Sequence, residues 1–412
     1  TLPWVISLGA LVSAHPYGHK IFSFLDGSSN EELAIDAAYN ESGALQSVSV
    51  GNEANNRDDA SVIIPGDGEA TIPFEIIHYD WNETPITLVA LTIRWRNPDV
   101  PLLFSFTDPE GNRVNLGGGG STVMIGSSQL QTTRELSPRG TSKVDVILYH
   151  NNELPIGEWL IEIDSIESED VEVWATLYNN RFRGGMGTSF SDEEQVNENI
   201  TVSAYATADL AIGACSYGTR QSARGEVVGS ISGFSSRGPR IDGVQIVDIC
   251  APGDNDIIWA QSSRGDFPVG GYSFGGGTSA SSPHVAGAIA LLQQAAPWAT
   301  AREIEDAPYG SAWVDEFVGD VAPNHTWGYG KLRVSAALEL LPPEEIDDDD
   351  DVIDLTPWDD QETPVPPESH RPDNVDTLLG VEGGGCHCHS AGSGARGGLR
   401  HAFFSIFSTL FR

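Results

Sequence analysis

The stretch that decides the fold reads Phe274-Gly-Gly-Gly-Thr-Ser-Ala-Ser-Ser-Pro-His-Val-Ala-Gly287. Consecutive glycines lead through Thr278 and Ser279 into an apolar stripe with the period of a helix, which predicts a helix over about residues 280–295. The residues of the stripe are Val285, Ile289, Leu292 and Ala296. Ser279 is therefore expected at a helix N-terminus, where unpaired backbone N–H groups and the helix dipole favour negative charge. The glycines allow a bound molecule to approach the backbone closely.

A serine in this position has two interpretations. Serine and threonine are common helix caps, because the side-chain oxygen accepts a hydrogen bond from a free backbone N–H group. The same position also suits a nucleophile whose oxyanion forms beside those N–H groups. A Gly-Thr-Ser sequence alone favours the cap, so the surrounding sequence has to decide.

The segment Gly277–Gly287 closely resembles the nucleophile motif of the subtilisin-like serine proteases, and other motifs of that family surround it. These are Val5-Ile-Ser-Leu-Gly9, Gly51-Asn-Glu53, Phe234-Ser-Ser-Arg-Gly-Pro239, Ala251-Pro-Gly253 and Trp327-Gly-Tyr-Gly-Lys331. The resemblance covers about residues 4–60 and 185–340. It implies an α/β fold, with a mostly parallel sheet flanked by helices, and hydrolysis of peptide bonds.

The resemblance also implies roles for individual residues. Ser279 matches the nucleophile, and Asn52 matches the asparagine whose side-chain amide joins the Ser279 backbone N–H group at the oxyanion. Matches to the substrate strand and to the wall of the pocket that precedes the cleaved bond are Ser7, Leu8, Gly9, Ser49, Val50 and Gly51. The alternatives are a turn for Asn52, since Gly-Asn is common in turns, and ordinary core strands for the other six residues.

The base and the acid that orients it are not visible in the sequence. In the family, the aspartate and histidine motifs both precede the strand that Val5–Gly9 resembles, so both are expected upstream of residue 1. Neither His15 nor His19 stands in the family's histidine context, and His284 matches a structural histidine of the family. We assign none of them as the base, and we expect negligible peptidase activity from residues 1–412 alone.

The first 60 residues suggest one parallel strand–helix–strand unit. Residues 4–9 are apolar and rich in strand formers, which indicates a buried parallel strand. Ser29 and Glu32 have the spacing of a capping box, and Gly43 would end the helix that follows. The residues of this helix expected to face inward are Leu33, Ala34, Ala37 and Ala38. Residues 44–50 form the next strand and lead into Gly51-Asn52.

From about residue 61 the strand–helix–strand pattern gives way to short strands in which apolar and polar residues alternate. In one of them Leu91, Ile93 and Trp95 alternate with polar residues, and about seven such runs between residues 70 and 180 predict an antiparallel β-sandwich. Residues 91–99 and 106–111 resemble the jelly-roll insertion of clostridial spore-germination subtilases. The simplest role for such an insertion is a stability clamp without a ligand of its own.

Composition limits the partners. The 412 residues contain 22 Lys and Arg against 59 Asp and Glu, a formal net charge of −37. A surface this acidic repels nucleic acid and anionic membranes and fits an extracellular or salt-adapted protein. No run of about 18 apolar residues predicts a transmembrane helix. Cys215 and Cys250 follow at corresponding ends of two strands, where they could pair in an oxidising compartment, although we expect buried free thiols.

The C-terminal residues differ from the rest. Residues 342–382 are acidic and contain prolines, which indicates an extended linker. The aspartates at 347–351 offer calcium ligands, and a solvated spacer is the simpler interpretation. In residues 383–412, Cys386-His-Cys-His389 is spaced too closely for a usual zinc site. This tail resembles a myxobacterial sorting signal, which would anchor the protein to the cell envelope.

The sequence thus divides into five parts: the first visible part of the catalytic domain (1–60), an inserted sandwich (61–184), the nucleophile part (185–341), the linker (342–382) and the tail (383–412). Two functions remain open. One is a secreted serine endopeptidase, extracellular or on the cell envelope, that acts on proteins or peptides and needs no certain cofactor. The other is an inactive subtilase-like protein that binds or regulates through its sandwich. Intact Ser279 and Asn52 favour the enzyme.

Overall fold

The computed structural model of the chain describes residues 2–77, 85–96, 98, 100–117, 120–166, 168–178, 187–220, 227–254, 257–260 and 272–344. The chain divides into two units, Thr1–Pro343 and Glu344–Arg412. Only Glu344 of the second unit belongs to the described residues. The acidic linker, its aspartate run and the Cys-His tail therefore lie outside them.

The elements in chain order are α1 (Leu2–Ser7), β1 (Val12–His15), α2 (Asn30–Ser42), β2 (Leu45–Ser49), β3 (Asp59–Ile64), β4 (Glu69–Ile76), β5 (Leu88–Trp95), β6 (Leu102–Thr107), β7 (Arg113–Asn115), β8 (Ser121–Ile125), β9 (Ser128–Leu136), β10 (Ser142–Tyr149), β11 (Gly157–Ser165), β12 (Val171–Tyr178), β13 (Thr188–Phe190), β14 (Ala211–Tyr217), β15 (Ile249–Pro252), β16 (Ile257–Ala260), β17 (Tyr272–Gly275), α3 (Thr278–Ala295), α4 (Ala301–Gly310) and α5 (Val334–Leu338).

A four-stranded sheet in the order β1-β2-β14-β15 is parallel in every pairing. Helix α3 packs against one face of this sheet through its predicted stripe, which includes the buried Ile289 and Leu292, and the predicted helix is confirmed. A second apolar cluster, which includes Val48, Val50 and Trp327, lies around the same strands. Because both faces are covered, β2 is buried at every position, although it contains the polar residues Gln46, Ser47 and Ser49.

The strand predicted over residues 4–9 is wrong. Residues 2–7 form α1, and the strand that pairs with β2 is β1, with Val12 opposite Leu45. The period of a short apolar run does not distinguish a strand from a helix. Pro3 fits the first turn of a helix, because backbone N–H groups in that turn have no helical acceptor and proline has none to satisfy. The parallel unit is therefore β1–α2–β2.

The helix predicted after Ser29 is confirmed with both of its ends. Ser29 and Glu32 form the capping box, and Gly43 closes the helix with a left-handed φ of 68°. The predicted inward face is wrong for Leu33 and Ala34, which are exposed, and right for Ala38, which is buried. The other buried residues of the helix are Glu32, Ile35 and Asp36. The two acids face inward because hydrogen-bond donors lie on that side. Glu32 accepts from the Thr207 hydroxyl at 2.6 Å, and Asp36 accepts the Leu210 N–H at 2.8 Å.

Cys215 and Cys250 form a disulfide, so the expectation of free thiols is also wrong. The two residues lie directly opposite each other on β14 and β15, with their Cα atoms 4.3 Å apart. Sequence spacing could not show this, because the register of two strands 35 residues apart is decided by the sheet. The bond lies in the buried interior beside Val48 and Trp327.

The strands in the middle of the chain form two antiparallel sheets, and the chain passes between the sheets several times. Their orders are β3-β12-β5-β10-β9-β8 and β13-β4-β11-β6-β7. They enclose one apolar core whose largest members include Phe74, Trp95, Phe106 and Trp159. We call these strands, residues 59–190, the sandwich. Its first and last strands, Asp59–Ile64 and Thr188–Phe190, extend slightly beyond the predicted boundaries of 61–184.

The motif Trp327–Lys331 ends in a lysine whose side chain is buried. The Lys331 ammonium group is buried, bonds the Asp315 carboxylate at 2.6 Å, and lies 5.0–5.3 Å from the centroids of several aromatic rings. Those rings belong to Tyr217, Trp313, Phe317 and Trp327. The arrangement fastens residues 313–331 to β14 through cation–π contacts and one buried ion pair.

Candidate active site

Ser279 is the second residue of α3, at the end where backbone N–H groups lack helical partners. Gly277 precedes the helix with a φ of 122°, a conformation that residues with a side chain rarely adopt. The Gly277 N–H donates to the Gly253 carbonyl at 2.6 Å, which fixes the entry into the helix. The Ser279 side chain is partly exposed. This geometry places a hydroxyl group and the positive end of a helix dipole at one point.

Asn52 contacts the start of the same helix, although it lies 226 residues from Thr278 in the chain. Its Oδ1 atom accepts from the Thr278 N–H at 2.8 Å and from the Thr278 hydroxyl at 3.1 Å. Because the oxygen is occupied, the side-chain NH₂ group is the part of the amide left to serve as a donor. A Cβ atom on Gly277 would lie 3.4 Å from the Asn52 amide, so the two groups are in contact.

The turn that carries Asn52 is fixed by a glycine, a carboxylate and a hydroxyl. Gly51 has a φ of 116°, and a Cβ atom there would come within 2.6 Å of both Glu53 Oε2 and Ser236 Oγ. Glu53 Oε2 accepts the Asn52 N–H at 2.6 Å, and Ser236 Oγ accepts the Glu53 N–H at 3.1 Å. The Phe234–Pro239 motif therefore supports the Asn52 turn.

Two further serines attach the helix to the sheet. Ser281 donates to the Ala251 carbonyl at 3.1 Å, and Ser282 and Ser47 each donate to the other's carbonyl at 2.9 Å. All three hydroxyls are buried. Ser281 and Ser282 belong to the nucleophile motif, but the sequence alone indicates no role for them. The signal available was a run of small hydroxyl residues at the start of an otherwise apolar helix.

The six residues proposed to contact substrate differ in their surroundings. Ser49, Val50 and Gly51 are buried, and their carbonyls accept from Ser203 Oγ at 2.9 Å, Ser203 N at 2.7 Å and Ser236 N at 3.0 Å. These residues can thus line a wall but cannot offer these carbonyls to a peptide.

Ser7, Leu8 and Gly9 stand in a different setting. They form the end of α1 and the turn after it, where Gly9 N–H bonds the Ile6 carbonyl at 2.8 Å and Leu8 is 67% exposed. A helix end cannot pair with an extended chain as a strand does. The parallel sheet has two edge strands, β1 and β15, and β1, which ends at His15, is the one that follows residues 7–9.

The histidines left unassigned are engaged elsewhere. His15 bonds Gln46 Oε1 through Nε2 at 2.8 Å and the Tyr17 hydroxyl through Nδ1 at 3.3 Å, and its pKa is lowered by burial, which the bond to Gln46 only partly offsets. His284 Nδ1 contacts the Ala280 carbonyl at 2.7 Å, and His19 Nδ1 contacts the Ile21 carbonyl at 3.2 Å. Within the described ranges, no histidine forms a hydrogen bond with Ser279.

In the part of the chain that the structure describes, no group of three or more His, Cys, Asp or Glu side chains is arranged to hold a metal ion. Over the same residues, no helix combines the length and the apolar character needed to cross a membrane.

The fold and this site define a class of protein, and comparison with known proteins identifies it. Residues 112–330, just over half of the chain, match the model of the subtilase family, peptidase S8. The structure resembles that of the CspB protease of Clostridium perfringens with a TM-score of 0.66 and 20% identity, over 82% of this chain and 69% of that one. This likeness shows a shared fold.

Curated relatives agree in sequence. The minor extracellular protease Vpr of Bacillus subtilis is 37% identical over 111 residues, 26% of this chain and 14% of Vpr. Pyrolysin of Pyrococcus furiosus is 33% identical over 121 residues, 27% of this chain and 8% of pyrolysin. The chain thus matches only a small part of these relatives' length. The chain belongs to the subtilase family, whose members are subtilisin-like serine peptidases.

Proposed function

We propose that the complete protein is an extracellular serine endopeptidase in which Ser279 is the nucleophile and Asn52 is an oxyanion donor. The observation that carries this proposal is the double hydrogen bond from Thr278 to Asn52 Oδ1. It joins two motifs that are far apart in the chain and leaves an amide donor beside a serine at a helix N-terminus. A helix cap or a turn residue alone would need no such contact.

In the proposed reaction, the Ser279 hydroxyl oxygen attacks the carbonyl carbon of the scissile peptide bond. The carbonyl π electrons move to the oxygen, and the resulting oxyanion lies between the Ser279 N–H group and the Asn52 side chain. The dipole of α3 stabilises the same charge. Collapse of the tetrahedral intermediate breaks the C–N bond and expels the amine, which takes up the proton that the base removed from Ser279, and water then hydrolyses the acyl-enzyme. Because these donors match the oxyanion better than the ground-state carbonyl, they act on turnover more than on binding.

The reaction needs a base for the Ser279 proton and a group that orients this base. Among the described residues no histidine forms a hydrogen bond with Ser279, so we propose that a histidine and an aspartate from polypeptide outside residues 1–412 complete the site. Residues 1–412 alone would then hydrolyse peptides very slowly, since loss of one member of such a triad costs several orders of magnitude in subtilisin itself.

Protein or peptide substrates follow from the proposed class of reaction. The wall formed by Ser49, Val50 and Gly51 would lie against the residue that precedes the cleaved bond. The role proposed for residues 7–9 in pairing with substrate fits the edge strand β1 better. An extracellular location is supported by the disulfide of Cys215 and Cys250, which persists in oxidising surroundings, and by the likeness to an extracellular protease of Bacillus. Envelope anchoring through residues 383–412 remains part of the proposal.

We further propose that the sandwich is a jelly-roll-like insertion, because two antiparallel sheets with one core interrupt the parallel sheet between β2 and β14. A second function, binding or regulation through the sandwich without catalysis, would leave no reason for the arrangement of Thr278, Asn52 and Ser279. The enzyme is therefore the proposal that we favour.

The test uses the complete protein, a quenched fluorescent peptide library and three variants. Ser279→Ala should abolish hydrolysis. Asn52→Ala should lower kcat by about a hundred- to a thousandfold with little change in KM, the loss known for one such donor in subtilisin itself. Asn151→Ala, an exposed asparagine of the sandwich, is the matched control and should keep the parental rate.

Two results would contradict the proposal. Parental turnover in Asn52→Ala would make Asn52 a turn residue only. Parental turnover in Ser279→Ala would exclude the proposed nucleophile and leave the binding function as the better explanation.

A further inference from the structure

The loop between β1 and α2, residues 16–29, passes close to the candidate active site. A Cβ atom on Gly18 would lie 2.6 Å from the Ser203 side chain, and the His19 carbonyl accepts the Ala204 N–H at 2.7 Å. Ser203 in turn donates from its N–H to the Val50 carbonyl at 2.7 Å. Residues 18–19 thus contact Ser203 and Ala204. Ser203 bonds Val50, which directly follows β2 and lies two residues before Asn52.

The next part of the loop is bound by one side chain of the sandwich. Arg94, on β5, has no solvent exposure. Its Nε atom donates to the Ser23 carbonyl at 2.6 Å, its Nη2 atom donates to the Lys20 carbonyl, and its Nη1 atom donates to Thr176 Oγ1 at 2.9 Å. Its neighbour Thr92 accepts the Phe22 N–H at 2.8 Å. The guanidinium fork therefore fixes two carbonyls that lie three residues apart.

Buried charges of both signs surround this contact. The cations are Lys20, Arg94 and Lys143, and the carboxylates are Asp26, Glu32, Asp59 and Asp145. Lys20 pairs with Asp59 and Lys143 pairs with Asp145. Burial lowers the pKa of Arg94 to about 10, with Asp145 and Asp59 acting in the opposite direction, so the side chain stays a cation at neutral pH. The loop therefore contributes charged groups to the sandwich face.

Two residues of the loop have a backbone conformation that depends on surrounding contacts. Phe22 and Leu25 have φ values of 63° and 56°, in the left-handed region that residues with a Cβ atom rarely occupy. Such a conformation is strained and persists only where surrounding contacts impose it. The bonds from Arg94 and Thr92 flank Phe22 on both sides. They supply the contacts that impose this conformation.

Stability alone does not explain a buried cation here. Apolar residues of similar size usually stabilise a core as well as a buried ionic network does, whereas directed hydrogen bonds select one conformation. A guanidinium with three used donors is suited to the second task. The carbonyls it selects belong to the loop that rests beside the Asn52 turn.

We propose that Arg94 is a positioning residue of the candidate active site. By holding the carbonyls of Lys20 and Ser23, it keeps residues 18–19 in contact with Ser203, which bonds the end of β2. The inference rests on the proposed peptidase function. The sandwich thereby sets the shape of the substrate-facing side of the site, while the nucleophile and its donors remain on the parallel sheet and α3.

This role predicts a particular kinetic pattern. Loosening residues 18–19 disturbs the surface beside bound peptide but not Ser279 itself. Arg94→Met should therefore raise KM for peptides about tenfold or more, because small displacements of positioning groups have effects of that size. The rate at which Ser279 reacts with a small fluorophosphonate reagent should change less than about twofold. Arg94→Lys keeps the charge without the fork and should recover only part of the effect.

The experiment uses the complete protein and measures amide hydrogen exchange together with peptide kinetics. Arg94→Met should speed exchange in residues 17–23 and 203–205. Thr92→Val is a variant that keeps the shape and charge of the site. It removes the acceptor for the Phe22 N–H and the hydroxyl that donates to Asp145 Oδ1 at 2.7 Å, and it should act in the same direction. The matched control is Arg113→Met, because Arg113 lies on β7 of the other sheet and pairs with Glu162.

Each outcome has one meaning. Unchanged loop exchange in both Arg94→Met and Thr92→Val would overturn the proposal. Faster loop exchange with parental KM would also overturn it, since Arg94 would then only stabilise the fold. A parent without hydrolysis that depends on Ser279 would instead overturn the peptidase function, and with it any catalytic consequence of Arg94, while the exchange data would still report whether Arg94 holds the loop.

Discussion

Asp248 is the residue whose replacement should most clearly change the pH dependence of stability. Its carboxylate lies just before β15 and accepts the Gly213 N–H at 2.6 Å, and its backbone also bonds Gly213 and Tyr329. Burial raises the pKa of Asp248 from its ordinary value of 3.8 to about 7. The Gly213 bond opposes this rise, nearby Glu305 adds to it and Arg302 reduces it. The folded protein thus binds this proton more tightly than the unfolded chain does.

The sign of the effect follows from linkage. Between about pH 4 and pH 7 the folded state holds the proton and the unfolded state has lost it, so the free energy of unfolding falls as the pH rises through this window. One pKa unit corresponds to about 1.4 kcal/mol, which gives a ceiling of about 4 kcal/mol at pH 8. Partial solvent access to the side chain reduces this to about 2–4 kcal/mol.

The perturbation is Asp248→Asn, which removes the titration and can keep an acceptor for Gly213. We expect variant and parent to be about equally stable at pH 4 and the variant to be more stable by about 2–4 kcal/mol at pH 8. For a folded part of this size, that corresponds to about 3–6 °C in Tm. Guanidinium unfolding of residues 1–412 between pH 4 and pH 8 measures it. Asp320→Asn, at an exposed position, is the control. Parallel curves for the Asp248 variant and parent would refute the reasoning.

Two further predictions concern the same half of the protein. Lys331→Met should lower the free energy of unfolding by about 3–5 kcal/mol, because it leaves the Asp315 carboxylate, 8% exposed, without its partner; Lys331→Met with Asp315→Asn should recover part of the loss, and additive effects would contradict the pairing. Replacing both Cys215 and Cys250 by alanine should cost about 4 kcal/mol, as expected for a closed loop of 35 residues. The bond itself is tested by mapping labelled thiols after unfolding without reductant. Labelled Cys215 or Cys250 in the parent would disprove the bond.

Several local features could be predicted because neighbours in the chain decide them. The capping box of Ser29 and Glu32 and the end of the helix at Gly43 depend on residues within one turn. The stripe of α3 depends on a period that the apolar residues repeat over about three turns. The motif around Ser279 carried enough specific residue types to indicate the family and the candidate nucleophile.

Other features depended on partners that are distant in the chain. A short apolar run at residues 4–9 suits a strand or a helix equally, and only the sheet shows that Val12–His15 occupies the strand position. Glu32 and Asp36 face inward because Thr207 and Leu210 lie there. Cys215 and Cys250 meet because two strands happen to align in register.

The alternation of β5 shows the same division between sequence and tertiary structure. Sequence alone determined that Thr92, Arg94 and Arg96 share one face, since successive side chains of a strand point to opposite sides. Only the tertiary structure decided that residues 20–26 cover this face, where Arg94 becomes a buried donor to the loop and Thr92 an acceptor. Likewise, the sequence placed Ser279 at a helix N-terminus, but only folding brings Asn52 to it, because hydrogen bonds across 226 residues depend on how the parallel sheet orders its strands.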